Sequence, residues 1–157
     1  MAGLYFENFE AGRVFRHEVR RTITLPDSIQ YALMCMETEP TYIDEDWARK
    51  FARFNRIEVY PLYVLAIVMA VQVPDLTLGT TLGNLSMGDV TFPHPVFPND
   101  TIRGQTTIVG KTPSKSREDR GVVDFMHEGF NQQDQLVLRC SRKGMMLRRP
   151  SGVAMPA

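Results

Sequence analysis

A chain of 157 residues, 43% of them hydrophobic, has the size of one domain that can bury one core, which excludes a multidomain machine. With 18 Lys plus Arg against 18 Asp plus Glu the formal net charge is zero, so no long-range field gathers a polyanion and nucleic acid is excluded as the main partner. The longest apolar run, Leu62 to Val71, is about half of the roughly twenty residues a helix needs to cross a bilayer, so no membrane partner is expected.

The opening MAGLYFENFEAG carries acids where a secretory signal carries bases, so a cytoplasmic protein is expected. Cys35 and Cys140 lie far apart and read as two buried thiols rather than a disulfide. His17, His94 and His127 are scattered and neither cysteine lies near one, so no zinc-type spacing exists. Residues 1–150 contain no linker or repeat and read as one domain, with 151–157 as a flexible tail.

In chain order, Val14 to Thr24 reads as a first strand after a turn at Ala11-Gly12. Thr24-Leu-Pro-Asp27 is a capping box, predicting a helix over 25–36 with Ile29, Leu33 and Met36 on its inner face. Glu37 to Ile43 reads as a loop, since the residue before Pro40 is biased away from helix. Asp44 then caps a short helix over 45–53, with Trp47 and Phe51 on one side next to Ala48. A helix over 61–73 begins on Pro61 and is apolar on nearly every face, so it is expected to be surrounded.

From Leu82 on the pattern is β, with strands over 82–96, 100–112, 121–131 and 135–149 that read as a four-strand antiparallel meander. The basic residues of the last strand, Arg139, Arg142, Lys143, Arg148 and Arg149, are expected on its solvent side. One strand, then helices, then four strands describe an α+β hotdog: a bent antiparallel sheet wrapped around the apolar helix. Open sheet edges favour pairing with a second such unit.

Specific strings then match a family. Leu4-Tyr-Phe-Glu-Asn-Phe-Glu-Ala-Gly12, Pro40-x-x-x-Asp44, Phe92-Pro-x-Pro-Val96 with Asn99-Asp100-Thr101, the Ser114 to Gly121 loop and Gly129-Phe-Asn131 together resemble the MaoC-like dehydratases, hotdog (R)-specific enoyl-thioester hydratases. The resemblance covers residues 4–149. It implies a CoA or acyl-carrier thioester substrate, a homodimer or a heterodimer with a related hotdog subunit, and no metal or redox cofactor. It also implies syn addition of water by an Asp and a His on a D-x-N-P-x-H-like loop, with a Gly N–H at the start of the central helix stabilising the enolate.

This chain departs at all three positions. Anchored on Pro40, Glu37 stands at the Asp, Glu39 at the Asn and Tyr42 at the His, while Pro61 stands at the glycine and has no N–H to give. A lost oxyanion donor costs on the order of 3 kcal/mol of transition-state stabilisation. Glu37 and Tyr42 are therefore the expected catalytic pair. Tyr60, Pro61 and Tyr63 at the helix start, Asn84 after it, and Lys115 and Arg117 near the mouth are the expected substrate contacts. A catalytically degenerate hotdog subunit, or a hotdog repurposed for isomerisation or cyclisation, is the alternative.

Overall fold

The computed structural model describes residues 3–150, so the expected tail lies outside the described residues. After a 3-10 turn (Phe6–Asn8) comes β1 (Val14–Thr22), and Thr24 then starts α1 (Leu25–Met34) with its capping box closed in both directions. The Asp27 N–H donates to Thr24 Oγ1 at 3.3 Å and the Thr24 N–H to the Asp27 carboxylate at 3.2 Å.

Helix α1 stops short of the expected end because Met36 takes a left-handed backbone at φ 58°, and the Glu37 N–H folds back onto the Ala32 carbonyl. Ser28 and Ala32 are buried and Ile29, as expected, packs inward against Ala48, Ala52 and Ile57, whereas Leu33 and Met36 are 55% and 87% exposed. Only one of the two thiols is buried: Cys140 lies in the core, but Cys35, at the end of α1, is exposed.

The stretch expected to be a loop holds a turn of helix, α2 (Pro40–Ile43), because the proline that keeps Glu39 extended is well suited to a first helical turn. Asp44 caps α3 (Glu45–Phe51), accepting from the Trp47 N–H at 2.9 Å, and the Trp47 and Phe51 rings sit 5.5 Å apart.

The central helix, α4 (Pro61–Val71), buries Val64, Ile67, Val68 and Val71 against Ile23, Ile102, Val137 and Leu138. At about 25 cal/mol per Å² of apolar surface, such residues contribute roughly 1.5–3 kcal/mol each. Sheet and helix meet closely at two glycines. A Cβ on Gly104 or Gly129 would stand 2.5 Å from the Val71 or Val68 side chain. The helix is not surrounded, however: one sheet covers one side, and its other side, with Ala66 and Ala70, lines a cavity of about 490 Å³ shared with Val19 of β1. A π-helical turn (Val73–Thr77) follows.

The sheet has five antiparallel strands in the order β1-β3-β4-β5-β2, built from β2 (Thr81–Thr91), β3 (Thr101–Pro113), β4 (Arg120–Phe130) and β5 (Leu136–Leu147). This is the expected hotdog arrangement, with one correction. Only β3, β4 and β5 form the meander; β2 pairs with β5 at the far edge. The link from β2 to β3 carries Pro93, Pro95 and Pro98 and offers no tight hairpin, so it crosses to the other side of the sheet. Along β4, and along β3 as far as Ile108, every second residue is buried: Ile102 packs with α4, whereas Ile108, Val123 and Phe125 pack with Phe6, Phe9 and Leu76. Edge strand β2 instead exposes Leu82, Leu85, Met87 and Val90.

Candidate active site

Two polar ensembles occupy the two ends of α4. At its start, Tyr60 is the N-cap residue without a capping side chain and Pro61 follows, so the first turn lacks one of its free N–H groups. Aromatic rings gather there. Tyr42, from α2, lies with its ring centroid 5.3 Å from that of Tyr60, and Tyr31, from α1, stacks on Tyr63 at 4.5 Å while its hydroxyl donates to the Leu62 carbonyl at 3.5 Å.

Three carboxylates surround Tyr42. Burial, followed by the charges of Glu58, Glu37 and Glu39, pushes its phenol above the ordinary tyrosine value, so at neutral pH it is a proton donor and not a base. Glu37 accepts the Glu39 N–H at 2.8 Å, which leaves its carboxylate oriented with lone pairs to spare. Glu58 is held above the usual carboxylate range by burial, against the opposing pull of Arg53 and Arg56. Sequence reasoning passed over Glu58. The available signal was a lone charge between two residues, Ile57 and Val59, that are both buried.

A cavity of about 220 Å³ opens on this end of the helix, lined by Arg53, Glu58, Pro61, Val64, Phe92 and His94 among others. The Phe92 to Val96 segment is held there by a bond from the Val59 N–H to the Val96 carbonyl at 2.8 Å.

Beyond the other end of α4 a continuous hydrogen-bonded chain runs across all five strands. Asp75 Oδ2 meets His17 Nδ1 at 2.7 Å, and His17 Nε2 meets Thr106 Oγ1 at 2.8 Å. Thr106 Oγ1 meets His127 Nδ1 at 2.9 Å, Arg142 Nε donates to His127 Nε2 at 3.1 Å, and Arg142 Nη1 donates to Asn84 Oδ1 at 2.7 Å.

The cation sets every proton. Because arginine only donates, His127 Nε2 must accept, so its Nδ1–H donates to Thr106, whose hydroxyl donates to His17 Nε2, whose Nδ1–H donates to Asp75. Burial, then the adjacent Arg142 charge, lowers the His127 pKa from 6.5 to about 3, and burial lowers Arg142 to about 10, so the first is neutral and the second cationic at pH 7. The burial of Arg142 corrects the expectation that the basic residues of β5 face solvent; its guanidinium lies 4.4 Å over the Phe125 ring.

The structure thus brings Glu37, Tyr42, Tyr60, Pro61 and Tyr63 together and places Asn84 in the second ensemble. Lys115 and Arg117 are exposed on the loop between β3 and β4. Their basic neighbours are already engaged: Lys111 donates to the Phe6 and Glu7 carbonyls, and Arg120 makes two 2.7 Å bonds to Asp119.

Comparison with known proteins adds a family. A family model described as mesaconyl-CoA hydratase matches residues 1–155. The chain is 29% identical over 156 residues to a mesaconyl-CoA hydratase of Cereibacter sphaeroides, covering 99% of this chain and 45% of that protein. A Haloarcula marismortui mesaconyl-CoA hydratase is 31% identical over 149 residues, covering 94% and 40%. The chain therefore spans less than half the length of these curated relatives. Among solved structures, a putative MaoC domain protein dehydratase from Chloroflexus aurantiacus superposes with a TM-score of 0.87 at 28% identity, covering 98% of this chain and 43% of that one. A Mycobacterium tuberculosis protein with a double hotdog fold, 21% identical, shares the fold at a TM-score of 0.75 over 98% of this chain and 47% of its own.

Proposed function

This chain belongs to the mesaconyl-CoA hydratase family, and we propose that it is a hotdog hydro-lyase adding water to, or removing it from, a CoA thioester of the mesaconyl type. The observation that carries the reading is the gathering of Tyr42, still protonated, with Glu37, Glu39 and Glu58 at a helix start whose first residue has no N–H. In this reading the Tyr42 hydroxyl hydrogen-bonds the thioester oxygen and supplies part of the enolate stabilisation that Pro61 has removed. Glu37, held by the Glu39 N–H, orients the water. Tyr60 and Tyr63 wall the acyl group. Asn84, bonded to Arg142 in the network beyond the other end of α4, is assigned to the scaffold, and Lys115 and Arg117 meet the CoA phosphates.

A second hotdog unit completes the molecule, either another copy or a related chain. The relatives are more than twice as long, and the apolar residues of edge strand β2 await a neighbour. An exposed free Cys35 suits a reducing, cytoplasmic setting, and no helix among the described residues is long and apolar enough to cross a membrane.

The test is hydration of mesaconyl-CoA by the purified chain, followed by loss of enoyl absorbance. Turnover that falls about 100-fold in Tyr42→Phe and in Glu37→Gln is expected. Turnover that survives both changes together would remove the pair from the chemistry.

A further inference from the structure

The cavity at the start of α4 contains one more proton-transfer group, and its orientation is already determined. His94 Nδ1 lies 2.9 Å from the Leu136 carbonyl oxygen. A carbonyl only accepts, so Nδ1 carries the hydrogen and Nε2 holds the free lone pair. Two features keep the ring there. Pro93 and Pro95 restrict the backbone on either side, and the Val59 to Val96 bond ties the segment to the residues leading into α4. Glu58 lines the same 220 Å³ cavity, and its backbone is held by its N–H donating to the Thr41 carbonyl at 3.2 Å. Pro61 and Val64 add apolar surface to the same lining, and Arg53 adds a cation.

We propose that Glu58 and His94 are a second acid-base pair of this site, acting on the enoyl group of a CoA thioester whose acyl end enters the cavity between them. The inference rests on the hydratase reading above and goes beyond it by assigning the proton transfers to two residues outside the Glu37 and Tyr42 loop. His94 Nε2 takes a proton from water as the water oxygen bonds to the β-carbon. The π electrons of the double bond move to the α-carbon and thioester oxygen. The Glu58 carboxyl then gives its proton to the α-carbon, and the imidazolium returns its proton to the Glu58 carboxylate through solvent, so the net change is one water added. Burial favours the protonated Glu58 that this role requires. Arg53, in the same cavity, suits a substrate carrying a free carboxylate.

Two substitutions isolate the chemistry. His94→Asn keeps an N–H for the Leu136 carbonyl and removes the base; Glu58→Gln keeps the shape and removes the acid. With the full chain and mesaconyl-CoA, kcat is expected to fall at least 100-fold in each variant while KM changes less than threefold. A fall smaller than tenfold in either, with the parent protein active, would overturn the pair and leave the hydratase reading standing. If the parent protein does not turn over at all, the hydratase reading fails, and the pair is judged by titrating butyryl-CoA against the ¹⁵N resonances of the His94 ring. A saturable shift supports thioester binding between the two residues, and no shift overturns it.

Discussion

The two ends of α4 carry polar ensembles of opposite character. Beyond its last turn, His17, Thr106, His127 and Arg142 are all at most 6% exposed and are bonded in a single direction, from the guanidinium to Asp75. Around its first turn, Glu37, Tyr42 and Glu58 are partly exposed, and donors and acceptors remain to be filled. Such a network acts as scaffold, because buried polar groups stabilise the fold only when bonded to one another, and among its side-chain groups only Arg142 Nη2 is left buried without a partner among the described residues. Unfilled groups beside a cavity can instead exchange protons with a ligand.

The contrast predicts which changes destabilise the fold and which alter chemistry. The largest effect is expected from Thr106→Val, which preserves shape but orphans His17 Nε2 and the His127 Nδ1–H together. Urea unfolding should show a loss of about 3 kcal/mol, since each unsatisfied buried group costs roughly 1–3 kcal/mol. Pro61→Gly acts at the other end, where it returns an N–H to the helix start. It should raise kcat for mesaconyl-CoA about tenfold, equivalent to about 1.4 kcal/mol, in the same absorbance assay.

The scaffold also has a pH signature. His127 is neutral in the fold down to about pH 3, whereas in the unfolded chain it titrates near 6.5, so the unfolded state takes up the proton first. Stability is therefore complete above about pH 6.5 and falls as the pH drops toward 3, by about 1.4 kcal/mol per pH unit from this group. Unfolding curves measured from pH 7 to pH 4 should show that slope, and His127→Asn should flatten it. The smallest effect belongs to the surface. Replacing Lys115 and Arg117 together by alanine should raise KM for the CoA thioester about threefold without touching kcat, as exposed charges contribute at most about 1 kcal/mol.

Much of the scaffold was legible in the residues, because local rules govern it. The Thr24 capping box, Pro61 at a helix start and the alternation of β3 and β4 each depend on neighbours within a few positions. Long-range pairing was less legible. That β2 crosses to the far edge, and that Arg142 points inward while Arg139 and Lys143 point outward, follow from strand register rather than from composition. The three histidines look unrelated in sequence, yet His127 stands directly across the β3–β4 ladder from Thr106, which in turn reaches His17. Likewise, the free nitrogen of His94 is decided by a carbonyl 42 residues away. Glu37, Tyr42 and Pro61 were found through a motif, whereas Glu58 and His94 became visible only when the cavity did.

The central claim is that proton transfer takes place at the start of α4 and that the network beyond its other end is scaffold. Tyr42→Phe and Asp75→Asn test it side by side, because Asp75 lies at the outer end of the network with its side chain 44% exposed, and Asn can still accept from His17. Turnover of mesaconyl-CoA per folded molecule should fall about 100-fold in the first and change less than threefold in the second. An Asp75→Asn enzyme that loses activity while Tyr42→Phe retains it would reverse the assignment of the two ends.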